Sequence, residues 1–194
     1  MIEFEEQEMK NIIINQIMIP SLQELYKFDF DNIRLGVSER NICARLAHHM
    51  ENILRKYDKE MKYFVDVEYN RMGNGDVKSY ENSEKKPVKM VSDLLIQSRG
   101  LPRNLLAVEM KRSGNRQNVD SDKRRLVSLV TPSSPETLHN CVHDTLVGAF
   151  ITYSENSVNV LLYENVNGHG EMTDEMNFIC IKEGEKTQLI YNPF

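Results

Sequence analysis

Three charged residues of types that bind cations or move protons lie in predicted strands. Asp93 belongs to VSDLLIQS, and Glu109 and Lys111 belong to LLAVEMK. Isolated charges are costly to bury, so a core strand has no structural reason to carry acids at these positions. Alternation along a strand places Glu109 and Lys111 on one face, and pairing of adjacent strands can bring Asp93 beside them. We expect two carboxylates and an ammonium group to converge and to share a cation.

A predicted helix that follows Ser38 adds a fourth group. At about 100° per residue, Glu39 falls in the centre of the apolar stripe of this helix. The stripe consists of Ile42, Leu46, Met50, Ile53 and Tyr57. The first turn should therefore aim a carboxylate towards the core. The alternative is that Glu39 is an acid of the first turn that interacts favourably with the helix dipole, next to the Ser38 cap.

The periodicity of apolar residues predicts the elements that position these side chains. Helical periodicity over 6–28 is interrupted at Pro20, which indicates two short helices, and the long helix ends at about residue 58. A second helix is predicted over 120–130, with Asp120 or Ser121 as its cap and Pro132 after it. Strands are predicted at 63–70, 91–98, 105–111, 145–153 and 157–165, the second and third antiparallel, and a weak hairpin is predicted around 183–186. The fold class is mixed α/β.

The pattern of Asp93, fifteen intervening residues and then Glu109-Met110-Lys111, preceded by a helix with Glu39, resembles the PD-(D/E)XK nuclease superfamily. The predicted order of helix, three strands, helix and strand also resembles the restriction-endonuclease-like core of that superfamily. The segments VDVEYNR, SDLLIQSRG and NLLAVEMKRS are similar to small stand-alone members. Ser92 departs from the pattern because it stands where the motif has proline. The resemblance covers about 38–165, with extra N-terminal helices and C-terminal strands outside it.

The resemblance implies hydrolysis of a phosphodiester, in DNA as the favoured substrate, with Mg²⁺ or Mn²⁺ as cofactor. Carboxylate oxygens suit these ions, which bind through one or two carboxylates and keep several waters. Asp93 and Glu109 are the implied metal ligands, with Glu39 binding directly or through water. Lys111 would hold or deprotonate the attacking water, or offset charge in the transition state. The residues alone leave these roles of Lys111 open.

The charge distribution identifies a local basic segment in an acidic chain. The formal net charge is −5, which argues against a protein that binds nucleic acid through an overall positive surface. Residues 111–125 nevertheless have a net charge of +4, whereas 126–194 have a net charge of −7. Basic residues that can contact backbone phosphates are Arg112, Arg116, Lys123, Arg124 and Arg125. The alternative interpretation is a solvated helix face.

Length and composition predict one domain without export or a membrane span. The chain has 194 residues, of which 40% are hydrophobic and 27% charged, as is usual for a folded domain. No apolar run reaches the roughly 18 residues of a membrane helix, and the acidic start MIEFEEQEMK is unlike a secretory signal. Three cysteines form no CxxC pair, which disfavours disulfide scaffolds and cysteine-rich zinc sites. We expect a cytoplasmic protein, with a homodimer or a partner protein left open.

Other polar residues have simpler interpretations. His48 and His49 lie away from the centre of the apolar stripe, so both are expected to be partly exposed. His139 and His143 flank Cys141, but catalytic Cys/His partners normally meet from separate elements. Glu68 faces away from its apolar strand neighbours. It is either a solvent-facing residue or an accessory residue beside the metal site.

Three hypotheses of function are compatible with the sequence. The first is a metal-dependent nuclease. The second is a catalytically idle protein of the same fold that binds nucleic acid or a partner protein, which the acidic balance favours. The third is a plain α/β interaction domain in which the pattern of acids and lysine is accidental. Retention of Asp93, Glu109, Lys111 and Glu39 favours the first hypothesis.

Overall fold

A computed structural model describes residues 6–68, 79–81, 87–89, 91–98, 104–132, 145–184 and 186–193. Within these ranges the protein is mixed α/β, as predicted. Its helical elements are α1 (Glu6–Asn11), a π-helical segment (Ile12–Met18), α2 (Ile19–Phe28), α3 (Phe30–Arg34), α4 (Glu39–Tyr57) and α5 (Val119–Val130). Its strands are β1 (Tyr63–Val67), β2 (Ser79–Glu81), β3 (Pro87–Lys89), β4 (Leu94–Ser98), β5 (Asn104–Arg112), β6 (Thr145–Tyr153), β7 (Ser157–Val166), β8 (His169–Glu183) and β9 (Lys186–Tyr191). In the described part of the chain, none of the helices combines the length and apolarity of a membrane span.

Seven of the strands form one sheet in the order β1-β4-β5-β6-β7-β8-β9, and β2 pairs with β3 separately. Strands β1, β4 and β5 are antiparallel neighbours, which confirms the predicted pairing of the strands that follow Asp93 and carry Glu109. Strand β6 runs parallel to β5, because the intervening chain includes the crossover helix α5. Strands β6 to β9 then pair antiparallel in sequence.

Helices cover both faces of the sheet. On one face, α4 packs on β1 and β5, and α2 packs on α4 and β9. The larger apolar core lies there and includes Leu46 and Met50 of α4 and Val108 and Met110 of β5. On the other face, α5 packs on β5 to β8 over a smaller core. The alternation of β5 therefore directs Glu109 and Lys111 to the face that α5 covers.

The long helix begins as the sequence predicts. Ser38 accepts a hydrogen bond from the backbone N–H of Asn41, which satisfies one of the donors left free in the first helical turn. Near the C-terminal half of α4, Glu51 accepts a hydrogen bond of 2.8 Å from the backbone N–H of Val65. The contact of Glu51 with Val65 joins α4 to β1.

One glycine, Gly170, allows the crossover helix α5 to pack closely against β8. A Cβ atom at Gly170 would lie 2.3 Å from the carbonyl oxygen of Val127, which is far below van der Waals contact. The backbone N–H of Gly170 also donates a hydrogen bond of 2.9 Å to Thr131 Oγ1. Any larger residue would push α5 outwards, so Gly170 sets the height of α5 above the sheet.

Two local predictions are corrected by the structure, and a third is confirmed. Pro20 does not separate two helices, because the backbone widens into the π-helical segment before it and continues into α2. A proline clashes with the carbonyl one turn earlier, and a wider turn relieves that clash. The cap of α5 is Asn118, at φ 60°, rather than Asp120 or Ser121. The predicted C-terminal hairpin around 183–186 is confirmed, because Glu183 of β8 pairs with Lys186 of β9, and β8 extends back to residue 169.

Candidate active site

The structure brings together Asp93, Glu109, Lys111 and Glu39 at the point where β4 and β5 separate. Asp93 immediately precedes β4, and its Oδ2 accepts a hydrogen bond of 2.8 Å from the backbone N–H of Met110. The main-chain carbonyl of Asp93 accepts the Cys43 thiol at 3.2 Å. Asp93 is therefore held on both sides, by β5 and by α4.

Glu39 reaches this point from the opposite layer. Its Oε1 accepts hydrogen bonds of 2.8 Å from the backbone N–H of Arg112 and from Asn115 Nδ2. Its Oε2 lies 3.8 Å from Lys111 Nζ. The carboxylate therefore points inwards from the first turn of α4, as its position in the apolar stripe predicts.

Helix α5 supplies two further charged groups. Asp122 Oδ2 lies 3.1 Å from Lys111 Nζ, and Arg125 Nη1 donates a hydrogen bond of 2.9 Å to Glu109 Oε1. Arg125 Nη2 donates another, of 2.7 Å, to Asp122 Oδ1. The four side chains form a chain of contacts between β5 and α5, from Lys111 through Asp122 and Arg125 to Glu109.

Burial makes this network electrostatically unusual. Glu109 is 1% exposed and Asp122 is 3% exposed. Burial raises the pKa of Glu109 well above its usual value, and the neighbouring Asp93 carboxylate adds to the rise, whereas Arg125 opposes it. Burial also raises the pKa of Asp93, and the Met110 N–H and Lys111 partly offset that rise. The two acids interact with each other and disfavour simultaneous ionisation.

Lys111 has the opposite balance. Burial alone would lower its pKa, but the contacts with Asp122 and Glu39 outweigh burial and raise the pKa above its usual value. Lys111 is therefore protonated at neutral pH in this arrangement. It can donate hydrogen bonds and stabilise negative charge, and removal of a proton from water by Lys111 would first require loss of its own proton.

The acids have the chemistry to hold a hard divalent cation. Carboxylate oxygens are the donors that Mg²⁺ and Mn²⁺ take, usually from one or two acids together with water and substrate phosphate. Asp122 Oδ2 is buried and forms an ion pair with Lys111 Nζ at 3.1 Å. Within the described ranges, no group of three or more His, Cys, Asp or Glu residues is arranged to hold a metal ion. The assignment of Asp93, Glu109 and Glu39 as metal ligands therefore stays a prediction.

The predicted basic residues divide into two groups. Arg116 and Arg124 are exposed, and Lys123 lies 5.2 Å from the centre of the Phe150 ring. Arg112 instead donates to the Ile33 carbonyl at 3.1 Å. Arg125 is turned into the carboxylate network, with its Nη1 also 2.6 Å from the Val91 carbonyl. Both of these guanidinium groups are engaged by the protein itself.

The remaining candidates lie elsewhere or make other contacts. His48 is exposed, but the expectation that His49 is partly exposed is wrong. His49 is 8% exposed, because its Nε2 lies 2.7 Å from Asp29 Oδ2, and Asp29 also accepts a hydrogen bond from Arg45. Glu68 is exposed, at φ 53°, and pairs with Arg40 at 2.7 Å. His139, Cys141 and His143 lie outside the described residues.

Asp122 is a member of the site that the sequence patterns did not indicate, and Arg125 was expected to contact phosphates instead. The signal for Asp122 was available, because Leu126 and Leu129 follow it at helical spacing and belong to the buried face of α5. The same reasoning identified Glu39 on α4. The basic residues around Asp122 indicate a charged surface, although the apolar spacing of α5 places Asp122 on the buried face.

Comparison with known proteins identifies no matching family model, no matching curated protein and no matching solved structure. Function is therefore inferred from the geometry of the site and from the chemistry of its side chains.

Proposed function

We propose that this protein is a divalent-metal-dependent nuclease with a core of the PD-(D/E)XK type. The observation that carries the proposal is that Asp93 lies close enough to Glu109 and Lys111 to interact with both electrostatically, while Glu39 contacts the end of β5 from α4. The order of helix, three antiparallel strands, crossover helix and parallel strand supports the same core. We propose DNA as the substrate.

Asp93 and Glu109 would hold the ion, which is Mg²⁺ or Mn²⁺, with Glu39 contributing directly or through water. When bound, such an ion lowers the pKa of a coordinated water and polarises a phosphoryl oxygen. The hydrogen bond from Met110 fixes Asp93, and those from Arg112 and Asn115 fix Glu39. Such fixed acids do not need to reorganise when the ligand arrives.

Lys111 acts as a charged hydrogen-bond donor in this scheme. Its contacts with Asp122 and Glu39 keep the ammonium protonated and directed into the site. A protonated lysine orients the attacking water or offsets charge on the phosphoryl oxygens in the transition state. The exposed Arg116 and Arg124 extend the positive surface for backbone phosphates.

The decisive experiment is a cleavage assay with labelled single- and double-stranded DNA and RNA, in Mg²⁺, Mn²⁺ or EDTA. We expect metal-dependent cleavage of DNA by the natural protein and none by Asp93→Asn. Lys111→Ala should retain Mn²⁺ binding and lower turnover by roughly 10² or more. Asp31→Asn, at an exposed carboxylate outside the site, is the matched control and should cleave normally.

The second candidate function is that of a catalytically idle protein that binds nucleic acid or a partner. The engagement of Glu109 by Arg125 favours it, because a guanidinium group already neutralises one proposed ligand. Binding of DNA without cleavage in any metal would support this alternative. Cleavage that persists in Asp93→Asn would contradict our assignment of the site.

A further inference from the structure

Arg125 links the proposed metal ligand Glu109 to α5. Its Nη1 is 2.9 Å from Glu109 Oε1, and its Nη2 is 2.7 Å from Asp122 Oδ1. The side chains of Glu109 and Asp122 are 1% and 4% exposed, and that of Arg125 is 16% exposed. The guanidinium group therefore spans two buried carboxylates.

A buried carboxylate needs a cation or several hydrogen bonds to remain ionised. Guanidinium is well suited to this because it is permanently charged and its planar fork can contact two acceptors at once. The carbonyl of Val91, 2.6 Å from Nη1, fixes the fork further. Arg125 thus holds a positive charge beside Glu109 with no added ion required.

We infer that Arg125 is a built-in counter-cation for Glu109, and that it opposes the binding of a divalent ion at the same carboxylate. Two cations next to one carboxylate repel each other, and each lowers the benefit that the other gains from it. Asp122 is a positioning residue, because it holds Arg125 on one oxygen and Lys111 on the other. The antagonism towards a divalent ion rests on the proposed metal-dependent function, whereas the counter-cation role does not.

The counter-cation is tested by thermal unfolding in EDTA. Arg125→Met should lower Tm by roughly 6 to 20 °C, since it leaves buried acids uncompensated. Glu109→Gln removes the charge that Arg125 balances. The decrease in Tm of the double variant, Arg125→Met with Glu109→Gln, should therefore be clearly smaller than the sum of the decreases in the two single variants. The exposed neighbour Arg124→Met is the matched control and should change Tm little. Additive decreases in Tm would overturn the counter-cation role of Arg125.

The antagonism is tested by calorimetric titration with Mn²⁺ alone. We expect Arg125→Met to bind Mn²⁺ at least several-fold more tightly than the natural protein and to gain more Tm from it. Equal or weaker Mn²⁺ binding in Arg125→Met would overturn the antagonism. If neither protein binds Mn²⁺, the antagonism and the metal-dependent function are both rejected. The comparison of Tm values in EDTA between the single and double variants still tests the counter-cation role of Arg125.

A third variant covers a failure of Arg125→Met to fold. Folding of Arg125→Met with Glu109→Gln, when Arg125→Met alone does not fold, supports the counter-cation directly. Arg125→Lys keeps the charge but lacks the fork, so its Mn²⁺ affinity should stay close to that of the natural protein. An Arg125→Lys protein that binds Mn²⁺ several-fold more tightly than the natural protein would contradict a role for the charge.

Discussion

The backbone N–H of Arg112 donates a hydrogen bond of 2.8 Å to Oε1 of Glu39. This bond joins the first turn of α4 to the end of β5, the strand that carries two of the proposed catalytic groups. A side chain that is held by main chain keeps its place when neighbouring side chains change. The position of the Glu39 carboxylate is therefore set by the fold, and its charge is available for chemistry.

Substitution of Glu39 should separate these two contributions. Glu39→Gln keeps an oxygen for Arg112 and Asn115 and loses only the charge, so stability should stay within about 0.5 kcal/mol. Glu39→Ala removes the acceptor and should cost roughly 1–3 kcal/mol. Urea unfolding at pH 7 measures both. Equal losses in the two variants would mean that charge, rather than the hydrogen bonds, holds this junction.

Much of the site was predictable because its residues contradict their local pattern. Glu109 is an acid in an apolar strand, Asp93 directly precedes another apolar strand, and Glu39 lies in an apolar helical stripe, so periodicity alone indicated an inward direction. Asp122 and Arg125 have the same property, but they lie within a basic run whose net charge suggested solvent or phosphate contacts. Their engagement depends on how closely α5 sits on the sheet, which a linear pattern does not specify.

The elements that sequence patterns missed share a different property. Strand β8 is exposed over most of its N-terminal half, so it shows no apolar alternation and gains its order from pairing with β7 and β9. His49 lies away from the centre of the stripe of α4, and its burial comes from contacts with Asp29 and Phe28, which belong to the chain before α3. Both features are set by tertiary contacts between distant segments.

The raised pKa of Asp93 predicts a stability change whose sign depends on pH. A carboxyl whose pKa is higher in the folded state than in the unfolded state destabilises the fold as pH rises from the unfolded-state pKa to the folded-state pKa. Below the unfolded-state pKa, near 4, it has no such effect. Asp93→Asn can keep the hydrogen bond from Met110 without the charge. We expect its Tm to equal or exceed that of the natural protein at pH 8, with the gain vanishing towards pH 4. A lower Tm at pH 8 would contradict this.

Asp29 should show the opposite dependence. Burial alone would raise its pKa, but hydrogen bonds from Arg45 and His49 outweigh burial and lower it. The contribution of this carboxylate to the free energy of unfolding is therefore greatest above the unfolded-state pKa, and it is lost as pH falls towards the folded-state pKa. Asp29→Asn should lose roughly 1–3 kcal/mol at pH 7 and approach the natural protein below about pH 4. The exposed Asp31→Asn is the control, and denaturant unfolding from pH 3 to pH 8 is the measurement.

The exposed basic residues of the segment after β5 should determine affinity for nucleic acid independently of cleavage. Arg116 and Arg124 are exposed, so replacing both with Ala should weaken binding of unrelated DNA sequences equally. The slope of log affinity against log salt should become shallower by about one for each phosphate that the variant no longer neutralises. Lys56→Ala, near the far end of α4, is the matched control, because it lies about 25 Å along the helix from Glu39. Anisotropy titrations of labelled DNA at several salt concentrations measure these slopes. An unchanged slope in the double variant would exclude this segment from the interface. A change per removed charge equal to that of Lys56→Ala would mean that net charge alone determines the affinity.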